Sequence, residues 1–393
     1  MWLIWLLLFA MMVVISAYAG YWYRTQEEQG KPVFSGDYLT GINFIINDET
    51  DKAVDHFIKM LAVDSDTVET HLALGKLFRR RGEVDRAIRI HQNLIARPTL
   101  DDHYRDQSFF ALGCDYLSAG MLDRAEKIFL ELAKTNTLTV AEPALVMLLD
   151  IYQQEKSWQK AIETAVQLQM ITKKDQSKTI AHFYCELAEN AMQRHDQENT
   201  LYFIEQAICV DNRSVRAYLM RSNLCVKQQQ YEEALAYLKK IAEDDPRYLS
   251  ILLPHIVIAF EMLAKYDELR AYLQSISERY PASGILQINA SVLQKQQGME
   301  AATAFVKDFV RKHPSIAGVV LYLQLATASL QGQTSDDLFL LQNIMKKMLA
   351  KIARFQCIDC GFSGNTLHWL CPGCKQWGSV LPLAVCEEKL AQS

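Results

Sequence analysis

The sequence predicts an all-α fold. A helical repeat array of about eight helix pairs follows an apolar N-terminal span and precedes a small metal-knuckle domain. Three observations predict it. Small residues recur at one spacing through most of the chain, Trp2 to Tyr23 carries no charge, and four of the nine cysteines stand as two Cys-x-x-Cys pairs near the C-terminal end. With 16 Gly and 9 Pro in 393 residues, turn formers are scarce and long helices follow.

Composition narrows the class. The chain exceeds one compact core of ordinary size, so several domains or a repeat array is expected. It is 50% apolar and 22% charged, which excludes a disordered chain. The net charge of −5 supplies no global basic field for nucleic acid. Cys114, Cys185, Cys209, Cys225 and Cys386 are scattered in helical patterns. They read as small apolar core residues in a reducing compartment rather than as a disulfide framework.

Residues 1–23 are read as a transmembrane anchor and 24–34 as a linker. As a helix the uncharged run spans ~33 Å, enough for a bilayer core of about 30 Å. Trp2, Trp5, Tyr21, Trp22 and Tyr23 lie toward its ends, where amphipathic rings favour the headgroup level. A cleaved signal peptide is the competing reading, since Ala17-Tyr18-Ala19 resembles a cleavage site. Against it, no Lys or Arg precedes the run, and secretion would expose free thiols to oxidation. Arg24 and Lys31 follow the span, so the positive-inside rule places the rest of the chain in the cytoplasm.

Residues 35–353 carry the repeat. Two antiparallel helices approach closely only where both present small side chains. The pattern therefore pairs a small residue in the first helix with another twelve later, then a large apolar residue four further on. Gly41, Ala53 and Phe57 fit it, as do Gly113, Ala125 and Phe129; Gly75 and Ala87 lead less typically to His91. Ser222, Ala234, Leu238 and Pro246 form a later set, and Ala290, Ala302, Val306 and Pro314 another. Weaker copies centre on Ala161, Thr200 and Leu269. Pro246, Pro281 and Pro314 fall 35 and 33 apart, near the ~34-residue tetratricopeptide period. A divergent helix pair from Ser315 to Ala353 reads as a cap. Such pairs stack into a superhelix whose concave face binds peptides or proteins. Pro98–Arg105 and Lys173–Lys178 interrupt the period and read as solvated connections, with a partner-contacting insert as the alternative.

Residues 354–382 form the metal domain. Cys357, Cys360, Cys371 and Cys374 make two knuckles, each a tight turn that brings two sulfurs onto one ion. Gly361 and Pro372-Gly373 suit those turns. Four thiolates give a closed tetrahedral site for zinc or a single iron, so His368 is not needed and no position remains for substrate. Trp369, Phe362 and Trp377 are expected to pack around it. A unit of this size lacks the core to fold alone, so metal binding supplies its folding energy. Before it, Met345, Met348 and Ile352 form a stripe on a basic helix with Lys346, Lys347, Lys351 and Arg354. The stripe is expected to dock the ribbon against the array, with a membrane-surface helix as the alternative. Residues 383–393 are a tail.

No Walker A loop, Gly-x-Gly-x-x-Gly, Gly-x-Ser-x-Gly or His-Glu-x-x-His occurs in the sequence. His56, His71, His91 and His182 read as packing or surface residues. No catalytic residue is assigned, and the chain reads as a binding protein rather than an enzyme.

The segments "GINFIINDETDKAVDHF", "LGKLFRRRGEVDRAIRIHQNL", "IAHFYCELA" and "CGFSGNTLHWLCPGC" resemble the lipopolysaccharide assembly protein B family of Gram-negative bacteria. The resemblance runs over nearly the whole chain and is most specific in Gly82–Gln92 and Cys357–Cys374. It implies an inner-membrane protein with cytoplasmic repeats and a rubredoxin-like domain carried as an iron site, its ligands matching Cys357, Cys360, Cys371 and Cys374. It further implies an adaptor role. With the membrane protease FtsH, the family promotes degradation of the deacetylase that commits precursors to lipid A. Candidate partners are therefore FtsH, that deacetylase, other lipopolysaccharide synthesis and transport proteins, the membrane and a second copy of the chain. An assembly scaffold without a proteolytic role is the alternative, and a rubredoxin-like electron carrier a third reading. The tail with Cys386 departs from the family pattern.

Overall fold

The computed structural model describes residues 36–47, 49, 52, 53, 56 and 68–383, apart from 99, 136, 281–282, 328–333 and 351–352. The expected anchor, linker and Phe57, and the tail from 384 on with Cys386, lie outside the described residues. Among the described residues no helix is long and apolar enough to cross a membrane.

Helices account for most of what is described. They are α1 (Gly36–Ile46), α2 (Val68–Arg80), α3 (Val84–Ile95), α4 (Asp102–Ser118), α5 (Leu122–Ala133), α6 (Leu138–Gln154), α7 (Trp158–Thr172), α8 (Ser177–Gln193) and α9 (Gln197–Val210). They continue as α10 (Val215–Lys227), α11 (Tyr231–Asp244), α12 (Leu249–Met262), α13 (Tyr266–Arg279), α14 (Ser283–Gln297), α15 (Met299–Lys312), α16 (Ile316–Thr327) and α17 (Thr334–Leu349). A 3-10 turn, Pro246–Tyr248, leads into α12. The chain divides into two compact units, 1–147 and 148–393, and each is described by itself.

In the first unit the small residues sit where the sequence pattern requires them. A Cβ added to Gly75 would lie 2.4 Å from His91 Nε2, and one added to Gly113 would lie 2.7 Å from Phe129 Cε1. His91 thus takes the place a large apolar residue holds elsewhere. One ring nitrogen is paired below the surface, where Nδ1 bonds Asp115 and Arg79 Nη1 donates to Asp115 at 2.7 Å, while the buried Nε2, against Gly75, has no hydrogen-bond partner among the described residues. This buried network ties α2, α3 and α4 together. Leu100 is buried with Val68 and Leu94, and Asp101 caps α4 by accepting from His103 N–H, so the Pro98–Arg105 insert is partly structural.

In the second unit the weak repeats prove as closely packed as the strong ones. Ala161, Ala234, Leu269 and Ala302 are fully buried and Thr200 nearly so. One apolar core runs from Val215 in α10 through Leu252, Ile256 and Phe260 in α12 to Ile285 and Val292 in α14.

A backbone device recurs in both units. The second residue past the first helix of a pair has left-handed φ at Gly82, Gly120, Lys156, His195, Gln229 and Ala264. The next N–H then reaches back across the turn, as Glu83 does to Phe78 O (3.0 Å) and Lys265 to Phe260 O (3.1 Å). This is Schellman closure, which satisfies carbonyls that a helix end leaves free. Only two of these six positions are glycine, which is why these turns are hard to see in the sequence.

The described residues close with a three-stranded antiparallel sheet, β1 (Phe355–Cys357), β2 (Ser363–Gly364) and β3 (Val380–Pro382), in the order β2-β1-β3. Phe355 pairs with Gly364 and with Pro382, and Cys357 with Val380.

Candidate metal centre

Two turns of one design present the four cysteines. In the first, Gly361 N–H donates to Cys357 O (3.1 Å) and Cys357 N–H to Phe362 O (2.7 Å). In the second, Lys375 N–H donates to Cys371 O and Cys371 N–H to Gln376 O, both at 3.0 Å. The left-handed residue of each turn is Gly361 (φ 76°) and Lys375 (φ 59°). Sequence reasoning gave the second turn to Pro372-Gly373. Gly373 instead allows close approach, since a Cβ there would lie 3.1 Å from Cys360 Sγ.

The sulfurs all lie within 4.8 Å of one another. Cys357 Sγ is 3.7 Å from Cys374 Sγ, and Cys360 Sγ is 3.6 Å from Cys371 Sγ. A tetrahedron of ~2.3 Å metal–sulfur bonds has edges of about 3.8 Å, so the donor set fits one ion. Its electrostatics also favour a cation. Burial opposes ionisation of Cys357, but hydrogen bonds with Ser379 and the Cys360 and Asp359 backbones bring its thiol down to about 6. The Gln376 backbone favours the Cys374 thiolate, yet burial and hydrogen bonds with Cys357, Cys371 and Cys360 push that thiol up to about 12. Four thiols this close cannot all ionise without a positive ion among them. The four cysteines thus form a tetrathiolate metal-binding site. Its identity as iron or zinc is not fixed by the donor set, which suits both. His368 stays outside it, with Nε2 2.9 Å from Thr366 Oγ1.

The surrounding aromatics divide the labour. Phe362 packs against the buried Cys357, Cys371 and Val380 cluster, as expected. Trp377 and Trp369 point the other way, into the repeats. The Trp377 ring stacks on His182 (centroids 5.1 Å, planes 23° apart) and meets Trp158 and Phe183 edge-on. Its Nε1 donates to Gln153 Oε1 at 2.9 Å. Trp369 stacks on Tyr248 at 6.0 Å. Lys178 Nζ donates to Gly378 O at 3.1 Å. Gly378 has φ 58°, and a Cβ there would lie 2.7 Å from Lys178 Cε. The ribbon therefore has a seat built from α6, α7, α8, α10 and the Pro246–Tyr248 turn.

Charge shapes this seat. Arg216, 3% exposed, lies over Trp377 with its guanidinium carbon 5.9 Å from the ring centroid. Burial opposes its charge, but nearby Cys185, Glu186 and Glu189 raise its pKa, and Nη2 bonds both carboxylates at 2.7 Å. Burial first, then Arg216 and Lys178, brings His182 down to about 3, so Trp377 stacks on a neutral imidazole.

Two expectations need correction. The stripe through Met345 and Met348 does not dock the ribbon: Met348 is 59% exposed, Met345 half-buried, and Ile352 lies outside the described residues. The tryptophans do the docking. Lys178, at the end of the Lys173–Lys178 connection, contacts the ribbon rather than only solvent. Gln153, Trp158, His182, Arg216 and Tyr248 were not singled out as a site from the sequence. The signal available was the pair of tryptophans in so small a ribbon.

Comparison with known proteins agrees with this anatomy. The sequence profile of the rubredoxin metal binding domain matches residues 355–382, and tetratricopeptide repeat profiles match 70–102 and 215–248. Lipopolysaccharide assembly protein B of Escherichia coli (strain K12) is 34% identical over 383 residues, covering 96% of this chain and 98% of that one. The protein of the same name from Haemophilus influenzae is 30% identical over 391 residues, with the same coverage of each. Among solved structures, a tetratricopeptide repeat protein from Parabacteroides merdae covers 66% of this chain and 99% of its own at 16% identity and a TM-score of 0.32. Naa15/Naa10 bound to HypK-THB covers 79% and 46% at 15% identity and a TM-score of 0.42. Both scores are too low to carry an argument.

Proposed function

The chain belongs to the lipopolysaccharide assembly protein B family, and from that premise we propose that it is an inner-membrane adaptor rather than a catalyst. It regulates lipopolysaccharide biosynthesis by bringing the lipid A-committing deacetylase to the membrane protease FtsH. The anchor at residues 1–23 faces the repeats and ribbon to the cytoplasm and confines them to the plane where the protease works. Confinement raises the effective concentration of any client the array holds.

The observation that carries this reading is the use made of the metal domain. Cys357, Cys360, Cys371 and Cys374 are the ligands, and a four-sulfur shell leaves no coordination position for substrate. The ion, when bound, acts as a structural cross-link. What the ribbon offers outward is Trp377 and Trp369, and both are engaged by the repeats. The metal thus serves the shape of a binding surface. Stacked helix pairs present such surfaces to protein partners.

The deacetylase half-life in growing cells tests the proposal. It is expected to lengthen when this chain is removed and to be insensitive to that removal once FtsH is depleted. Deleting Trp2–Tyr23 is expected to give the same lengthening while a soluble chain still captures the deacetylase. An unchanged half-life sinks the reading in favour of a scaffold that coordinates synthesis and transport proteins without proteolysis.

A further inference from the structure

The cap helix α17 is apolar on two sides: Leu338, Met345 and Leu349 are half-buried on one face, and a second apolar face points outward. Its polar Gln342 is buried at 4% exposed, while Leu340 (60%), Leu341 (47%), Ile344 (48%) and Met348 (59%) face outward. Residues 340, 344 and 348 recur at steps of four, so they form one stripe along the helix. No packing within the described residues covers it.

The charges beside the stripe say what does. After Asp336 and Asp337 in the first turn of α17, the sequence from Leu338 to Arg354 carries Lys346, Lys347, Lys351 and Arg354 and no further Asp or Glu, in a chain whose net charge is −5. Lys346 and Lys347 are both exposed, and neither has a carboxylate partner among the described residues. An apolar stripe flanked by unpaired lysines fits a surface that is apolar beneath and anionic on top. Large exposed apolar side chains lie at the acyl boundary while lysines meet phosphate. A protein partner of mixed charge would not require the one-sign run.

We propose that α17 lies on the headgroup region of an anionic bilayer, giving the C-terminal end of the array its own membrane contact beyond residues 1–23. This contact orients the ribbon, which begins at Phe355 directly after the basic run, close to the membrane surface. It does not depend on which client the array holds.

The test uses the full chain with a photoreactive p-benzoylphenylalanine at Ile344, reconstituted in vesicles of phosphatidylcholine alone or mixed with phosphatidylglycerol. The expected result is a lipid adduct at position 344 in the mixed vesicles. It is lost in the neutral vesicles and in the mixed vesicles when Lys346→Gln and Lys347→Gln are introduced. All three positions are exposed, and unchanged helical circular dichroism shows that the variants fold. Equal adduct in both lipids, a cross-link to residues 384–393 of the same chain, a cross-link to a second copy, or no adduct in either vesicle would each overturn the proposal. Deacetylase turnover is not read in this experiment, so its outcome is independent of the adaptor reading.

Discussion

Trp377 of the ribbon and His182 of α8 stack with their ring centroids 5.1 Å apart, and the indole N–H of the same tryptophan reaches Gln153. Trp377 is 7% exposed, so the repeats rather than the metal provide most of its burial. Replacing a buried Trp by Ala costs roughly 3–5 kcal/mol where the site cannot collapse. Trp377→Ala is therefore expected to undock the ribbon while leaving the sulfurs to bind metal. Metal content by elemental analysis should stay at one ion per chain, while hydrogen exchange in α8 and α10 rises. Loss of metal together with docking would show that the two are one cooperative unit.

The same stack makes docking sensitive to pH. His182 falls from its usual 6.5 to about 3 because it is buried and faces Arg216 and Lys178. A folded-state pKa below the unfolded value means that the unfolded state binds the extra proton between those limits. Stability is then greatest above 6.5 and declines as the pH falls toward 3. His71, brought down to about 4 by burial and then Arg97, adds a decline of the same sign in the other unit. His182→Phe keeps the ring against Trp377 and removes the titration, along with an Nδ1 that lacks a partner. At pH 7 the variant should equal or slightly exceed the parent in urea midpoint, and the difference should widen at pH 5.5. Parallel pH profiles would refute the assignment.

The turn between α12 and α13 offers a stability test of the repeat geometry. Ala264 holds φ 53°, a left-handed conformation that costs a residue with a Cβ roughly 1–2 kcal/mol. Glycine removes that strain and adds about 0.5–1 kcal/mol of unfolded-state entropy. Ala264→Gly is expected to raise stability by up to about 1 kcal/mol, seen as a higher Tm by calorimetry. A lower Tm would place the strain elsewhere.

These turns also show where the sequence stops being legible. Gly75, Gly113, Ala234 and Ala302 advertise the crossings because no larger residue fits, and the four cysteines advertise the knuckles because two turns at that spacing have few other uses. Lys156, His195, Gln229 and Ala264 advertise nothing: the helix-end hydrogen bonds stabilise a backbone conformation that their side chains do not favour. The seat was illegible for another reason. Gln153, His182, Arg216 and Tyr248 come from separate helices and turns, and each is unremarkable in its own pattern until the ribbon folds over them. The outward tryptophans looked like shielding for the metal because the array they meet is distant in the chain.

Metal removal separates the ribbon's own stability from that of the array. Cys371 is fully buried, and its N–H and O both close the second knuckle. Cys371→Ser takes away one of four thiolate ligands, and the three that remain hold the ion more weakly. The core through α10, α12 and α14 keeps nearly all its apolar members, losing from the ribbon only Leu381 and the packing of Trp369. The variant, or the parent after strong chelation, is expected to lose the dispersed amide resonances of residues 355–382 while far-ultraviolet helicity stays near the parent value. Fluorescence of Trp377 and Trp369 should shift to the red as both leave their seat. A dispersed ribbon spectrum without metal would mean that docking on the repeats, not ligation, holds the knuckles in place.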